Sequence, residues 1–413
     1  ITASGLRLNA GTGIADADNH LETTTGTLSA RAGAGGMYLS ESDGLVVGDV
    51  GAIVQRVGSD ASVSAVIDAV QSDLLTTAGN GNIVLQTGGS IVLTDGTAAA
   101  DDLAGAADGS GNVLILSLGG DIAANADVAS RSGHVTLLAG GSVTFAGTAD
   151  LRSSGAGTIN VEAATGNITQ STTSVFSTNS DIRLLAAQNV TVGNIVSSAN
   201  VSLTAIAGSI LDADGLVGGA NDRNIDITAA GLRLVAGMGI GDSVNHLDTT
   251  VGTLTARATA GGVYLSETDG LIIGDVGVTV QRVGTNAGMT RTIDATQSDV
   301  RTTTGNGNIV LTAGGSIVLT DGTATADDIS VAANGSGNVL ILALGGDAVA
   351  NADIVSGAGA VTVQAAGAVV FTGTADVRTT GSIDVEANAI VQSATSLFTS
   401  VSDIRLLAAT NVT

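Results

Sequence analysis

Residues 81–96 read GNIVLQTGGSIVLTDG: two apolar triplets, Ile83-Val84-Leu85 and Ile91-Val92-Leu93, joined by Gly88-Gly89 and closed by Asp95-Gly96. Triplets like the first recur at Val113-Leu114-Ile115, Val135-Thr136-Leu137, Ile159-Asn160-Val161, Ile182-Arg183-Leu184, Val201-Ser202-Leu203 and Ile225-Asp226-Ile227. Their outer two residues are aliphatic, while the middle one varies from Leu to Thr, Asn, Arg, Ser and Asp. This period-2 alternation marks a strand with one buried and one mostly solvated face. A second series reads Ile91-Val92-Leu93, Ile122-Ala123-Ala124, Val143-Thr144-Phe145 and Val190-Thr191-Val192, with Leu6-Arg7-Leu8 and Met37-Tyr38-Leu39 assigned to it. Gly35-Gly36, Gly88-Gly89, Gly119-Gly120 and Gly140-Gly141 form the corners, where a residue without Cβ lets backbones approach closely. Each coil is thus expected to be strand, corner, strand and polar turn. Gln170 and Asp212 are exceptions, polar residues at nominally inward positions.

A longer repeat contains the coils. Residues 1–13, ITASGLRLNAGTG, match residues 227–239, ITAAGLRLVAGMG, at ten of thirteen positions, an offset of 226. The offset holds for Asn19-His20-Leu21 against Asn245-His246-Leu247, Tyr38 against Tyr264 and Asp101-Asp102 against Asp327-Asp328. Small deletions shift it after Arg152, and Thr413 answers to Thr191. The chain therefore divides into a first repeat, 1–226, and a second, incomplete copy, 227–413, continuous with it and reading as a window of a longer array.

Strands this frequent, with no 3.6-residue stripe, make the chain all-β. A near-constant coil length favours stacking of each coil on the next. The expected fold is a right-handed parallel β-solenoid (β-helix) with about nine coils per repeat, its hand following the usual crossover preference. The composition agrees: 44% of residues are hydrophobic but 1% aromatic, so the core is aliphatic, and Pro, which would delete a ladder donor, is absent. Residues 52–78 break the coil pattern and are expected to bulge outward, as does their copy, 278–304.

Charge and residue types exclude several functions. The net charge is −24, and 33 of the 38 acids are Asp, a turn-forming residue, so the charge belongs on solvated turns. Such a surface repels phosphate backbones, and no basic patch exists to bind nucleic acid. Zero Cys removes disulfides and thiolate chemistry, and all 14 basic residues are Arg, which removes Schiff-base lysines. No stretch of about 18 apolar residues exists to insert into a membrane as a helix.

The GxIxLxAGGxIxLxxG code of residues 81–96 resembles that of giant bacterial surface exoproteins, most of all adhesins of the filamentous-haemagglutinin type. The resemblance covers most of the chain as a pattern. It implies a parallel β-helix shaft, secreted to the extracellular bacterial cell surface and working in adhesion or matrix building. The 226-residue repeat and variable coil length depart from that family, and no N-terminal secretion domain is present in the sequence.

The remaining candidates for chemistry are acids, histidines and outward aliphatics. Stacked Asp turns supply the oxygen ligands that Ca²⁺ takes, and Asp101, Asp102, Asp327 and Asp328 persist between repeats. No other cofactor is expected, and no EF-hand or RTX nonapeptide appears. A carbohydrate-active enzyme, a polysaccharide hydrolase or lyase, is the alternative, with Asp101/Asp102 or Asp43/Asp49 as its paired carboxylates. Against it stand the lack of aromatic platforms and the copying of these acids along the array. His20, His134 and His246 lack ligand spacing and read as turn residues. Val84, Val92 and Leu114, with Val310, Val318 and Leu340 in the copy, are apolar at outward positions. A contiguous patch of this kind marks an interface, either for self-association with other copies or for an inserted turn of the same chain. The sequence therefore reads as a non-enzymatic structural repeat, with a cell-surface glycan or matrix as a further partner.

Overall fold

Pleated aliphatic triplets separated by glycine corners leave each strand only its counterparts before and after to pair with. A computed structural model describes residues 1–98, 101–216, 221 and 223–413. It is all-β, a long parallel sheet of many strands, with no helix among the described residues. No helix is therefore long and apolar enough to cross a membrane. Two compact units divide the chain, one of Ile1–Ser180 with Val280–Thr292, the other of Asp181–Thr279 with Ile293–Thr413. This division differs from the sequence repeats, because part of the second repeat lies in the first unit.

In the first unit three parallel ladders run side by side. The first joins Gly36–Glu41, Ile83–Thr87, Val113–Ser117, Val135–Ala139 and Ile159–Ala163. The second joins Leu45–Val47, Ile91–Leu93, Ile122–Ala124, Val143–Phe145 and Ile168–Gln170. The third runs through Leu74–Thr76, Leu103–Ala107, Asp127–Ser130, Leu151–Ser153 and Phe176–Thr178. From Leu74 to Thr178 each strand pairs with the third strand before or after it, so like residues stack on like: Ile83, Val113, Val135 and Ile159 are all fully buried. The second unit repeats the plan with Val263–Glu267, Ile309–Ala313, Val339–Ala343, Val361–Ala365, Ile383–Ala387 and Ile404–Ala408 in its first ladder.

The third ladder corrects the two-strand coil expected from sequence. All of its strands but Leu103–Ala107 end in a buried hydroxyl: Ser130 Oγ donates to Gly111 O (2.7 Å) and Ser153 Oγ to Gly133 O (2.9 Å). The copy does the same with Ser356 and Gly337 (2.7 Å). Met37-Tyr38-Leu39 belongs to the first ladder, with Met37 opposite Ile83. Leu6-Arg7-Leu8 pairs with Leu28-Ser29-Ala30, which leads into the third. Asp226 lies just before the strand Ile227–Ala236 rather than inside a triplet. The four Phe form two inward stacks, Phe145 on Phe176, edge-on at 4.7 Å, copied by Phe371 on Phe398 at 4.7 Å.

Residues 50–71 do leave the ladders, as an antiparallel hairpin of Val50–Val57 and Val63–Gln71. The copy forms a second hairpin of Val276–Val283 and Met289–Gln297.

At the corners, a Cβ on Gly133 would meet Gly111 O at 2.2 Å, whereas one on Gly11 meets nothing within 4 Å. Gly133→Ala is expected to cost about 1–3 kcal/mol by overpacking, read as a lower denaturant midpoint, while Gly11→Ala leaves it within about 0.5 kcal/mol of wild type.

Candidate functional site

The outward positions of the first ladder carry Tyr38, Val84 and Leu114 in register, an apolar stripe on a face that water would otherwise cover. The tip of the second hairpin lies on it. Val283 completes a buried cluster with the three, leaving Val84 0% and Leu114 1% exposed. Polar contacts fix the tip: Val283 N donates to Thr136 Oγ1 (3.0 Å) and Gln281 N to Thr158 Oγ1 (2.9 Å). His20 Nε2 donates to Thr285 O (3.0 Å), and Arg282 faces Glu162 at 3.5 Å. The ladder hydroxyls thus face outward to receive hairpin amides that would otherwise be buried unpaired.

Val84 and Leu114 are therefore not open to lateral self-association, because a segment of the same chain covers them. Their counterparts Val310 and Leu340, with Tyr264, are half-buried, as are Val92 and Val318. The setting is otherwise copied. Asn82 Nδ2 donates to the Tyr38 hydroxyl (3.2 Å) as Asn308 Nδ2 does to that of Tyr264 (3.1 Å). The first hairpin carries its apolar side chains in the open: Ile53, Val54, Val57, Val63 and Ile67 are all more than half exposed, Val57 at 66%. Val57 is the sequence counterpart of Val283.

The acids named from sequence are placed apart from a common centre. Asp101 is exposed, and Asp102 Oδ2 accepts from Thr148 Oγ1 (2.9 Å). In the copy Asp328 Oδ2 accepts from Thr374 Oγ1 (2.8 Å), while Asp327 is ion-paired with Arg301 at 2.6 Å. Arg301 also reaches buried Asp299 at 3.0 Å. Leu75 stands at its position in the first repeat, so Asp101 has no such partner and its charge acts inward instead. Burial, with the charges of Asp101 and Asp95 adding, pushes the Asp73 carboxyl up to about 6. Burial likewise raises Asp127 to about 6, against the opposing charge of Arg152. Asp49 is engaged by Thr97, whose amide and hydroxyl both donate to it (3.0 and 2.5 Å), and is held below the usual carboxylate range. His134 Nδ1 accepts from Thr158 N (3.0 Å), and burial lowers its pKa.

A different acid cluster was not assembled from the sequence. Asp212, Asp226 and Asp248 each bring one carboxylate oxygen within 4.8 Å of the others. Asp212 stood out only as a polar residue at an inward position, and its two partners come from separate strands with no shared motif.

Comparison with protein-family models, with curated proteins and with solved structures gives no match for this chain.

Two outcomes follow from these placements. Asp73 and Asp127 hold protons in the folded chain up to about pH 6, and buried Glu267 up to about 7, whereas an unfolded carboxyl releases its proton near 4. The folded state binds more protons in that window, so stability falls as pH rises from about 4 to about 7. Asp73→Asn, compatible with the positive φ there, is expected to raise Tm at pH 7 by about 2–4 °C and flatten the profile, measured by thermal melts with EDTA present. Trypsin provides the second check: Arg56 on the open hairpin is cut at least about tenfold faster than Arg282 on the seated one, and Val283→Asp brings the two rates together.

Proposed function

We propose that the chain is a stretch of a right-handed parallel β-solenoid serving, without enzymatic activity, as the structural repeat of a very long secreted bacterial surface protein. Its role is that of an extracellular rod, filament or matrix and adhesin shaft. The observation that carries this reading is the hairpin tip of one repeat seated on the apolar stripe of the repeat before it. Pairing of every third strand supports a winding path, and crossover preference gives it a right hand. The surface location rests on the resemblance of the coil code to that of surface exoproteins.

Covalent continuity alone leaves a stack of identical coils free to open at any one of them, because each contacts only its neighbours. A hairpin that reaches back over several coils adds a non-local lock at one place per repeat. Tyr264, Val310 and Leu340 offer the same seat again, and the first hairpin offers the same plug. Where further repeats exist, each hairpin clasps its predecessor. Acidic turns keep neighbouring shafts apart, while half-buried Val92 in one unit and half-buried Val318 in the other stay open to side-to-side association or contact with matrix.

Pulling the chain by its two ends tests the mechanical role. Val283→Asp is expected to lower the force at which residues 1–180 unravel, leaving the contour length released unchanged. Equal forces in the two proteins would remove the clasp from the account.

A further inference from the structure

We infer that Asp212, Asp226 and Asp248 form a divalent-cation site of the all-oxygen kind that takes Ca²⁺. The three residues come from the end of the strand Ile210–Asp212, the residue before Ile227–Ala236, and the second residue of Leu247–Ala258. One oxygen from each lies within 4.8 Å of the others, about twice the 2.3–2.6 Å at which Ca²⁺ holds an oxygen, so one ion can touch all three.

Asp226 is what turns this acid cluster into a site. It is 0% exposed, and its backbone is fixed on both sides: Asp226 N donates to Asp248 O (2.9 Å) and Ile195 N to Asp226 O (2.7 Å). Asp226 Oδ2 accepts from Asp248 N (2.8 Å), while Oδ1 is buried with no hydrogen-bond partner. A buried carboxylate oxygen without a donor is costly unless a proton or a cation meets it.

Further oxygens stand by. Asn245 Nδ2 donates to Asp212 Oδ2 (2.8 Å) and Asn221 Nδ2 to Asp248 Oδ2 (2.6 Å), and the amide oxygen of each Asn is buried and unpartnered. Turning either amide over would present that oxygen to the cation. Three carboxylates and two amides, with no ring nitrogen or thiolate, suit Ca²⁺; Mg²⁺ insists on near-ideal octahedral geometry and Zn²⁺ prefers nitrogen and sulfur. Asp226 is the last residue of the first repeat and Asp248 belongs to the second, so the site marks the repeat junction. The positions equivalent to Asn245 and Asp248 in the first repeat are Asn19 and Glu22, also oxygen donors.

The test is calorimetric titration of the EDTA-stripped, dialysed chain with CaCl₂, paired with thermal melts. One ion bound per chain, a Tm that rises with Ca²⁺, and at least a tenfold loss of affinity in Asp226→Asn are expected. The paired change Asp101→Asn with Asp102→Asn keeps full binding. If Asp226→Asn does not fold, half-buried Asp212→Asn replaces it with the same expected loss of affinity. Absence of both heat and Tm shift up to 10-millimolar Ca²⁺ would overturn the site, as would binding indifferent to these substitutions.

Discussion

Parallel, in-register pairing at about 4.8 Å per strand is the constraint from which the rest of this molecule follows. Each side chain meets the side chain at its own position in the strands above and below, so a residue must tolerate its own kind as a neighbour. Small aliphatics do so inside, as Ile83, Val113, Val135 and Ile159 show by their complete burial. Glycines do so at corners where a Cβ would strike the next carbonyl. Asn residues do so on the outside: Asn82 Oδ1 accepts from Asn112 N, and Asn112 Oδ1 from His134 N. Charges do not, which accounts for the placing of Asp in turns; where an Asp is buried, as Asp73 and Asp127 are, burial raises its pKa and neighbouring Asp charges add to the rise.

The same constraint explains which features were legible in the sequence. Ladders one and two announce themselves through alternating aliphatics, and the irregular segment after residue 50 was visible because it breaks that alternation. The third ladder was hidden. Strands such as Leu151-Arg152-Ser153 and Phe176-Ser177-Thr178 carry one strong hydrophobe each, and their inward hydroxyls are satisfied by glycine carbonyls too distant in sequence to suggest a strand. With it went the assignment of Met37-Tyr38-Leu39, whose partners lie in the first ladder.

The candidate sites divide along similar lines. That Val84 and Leu114 are apolar and outward could be read directly, but what covers them could not, since the cover arrives from residues 280–292 in the next repeat. Asp101 and Asp102 drew attention because they recur as Asp327 and Asp328. Recurrence here reflects turn geometry: Asp102 and Asp328 both adopt positive φ, and each binds a threonine hydroxyl. The Asp212, Asp226 and Asp248 cluster has no sequence signature, because its members are neighbours only once the strands stack. In a stacked fold, chemistry arises across strands, where linear spacing carries little information.

The central claim, that a hairpin from one repeat is seated on the ladder of the repeat before it, has a direct test because the chain has no Cys. Leu116 packs against the cluster of Tyr38, Val84, Leu114 and Val283, so Leu116→Cys with Val283→Cys places the only two thiols side by side. Treated at low protein concentration with a short bifunctional maleimide, this variant should give an intramolecular cross-link, seen by mass spectrometry as a bridged peptide pair in monomeric protein. Thiols that remain unlinked, or that link only between molecules, would contradict the account.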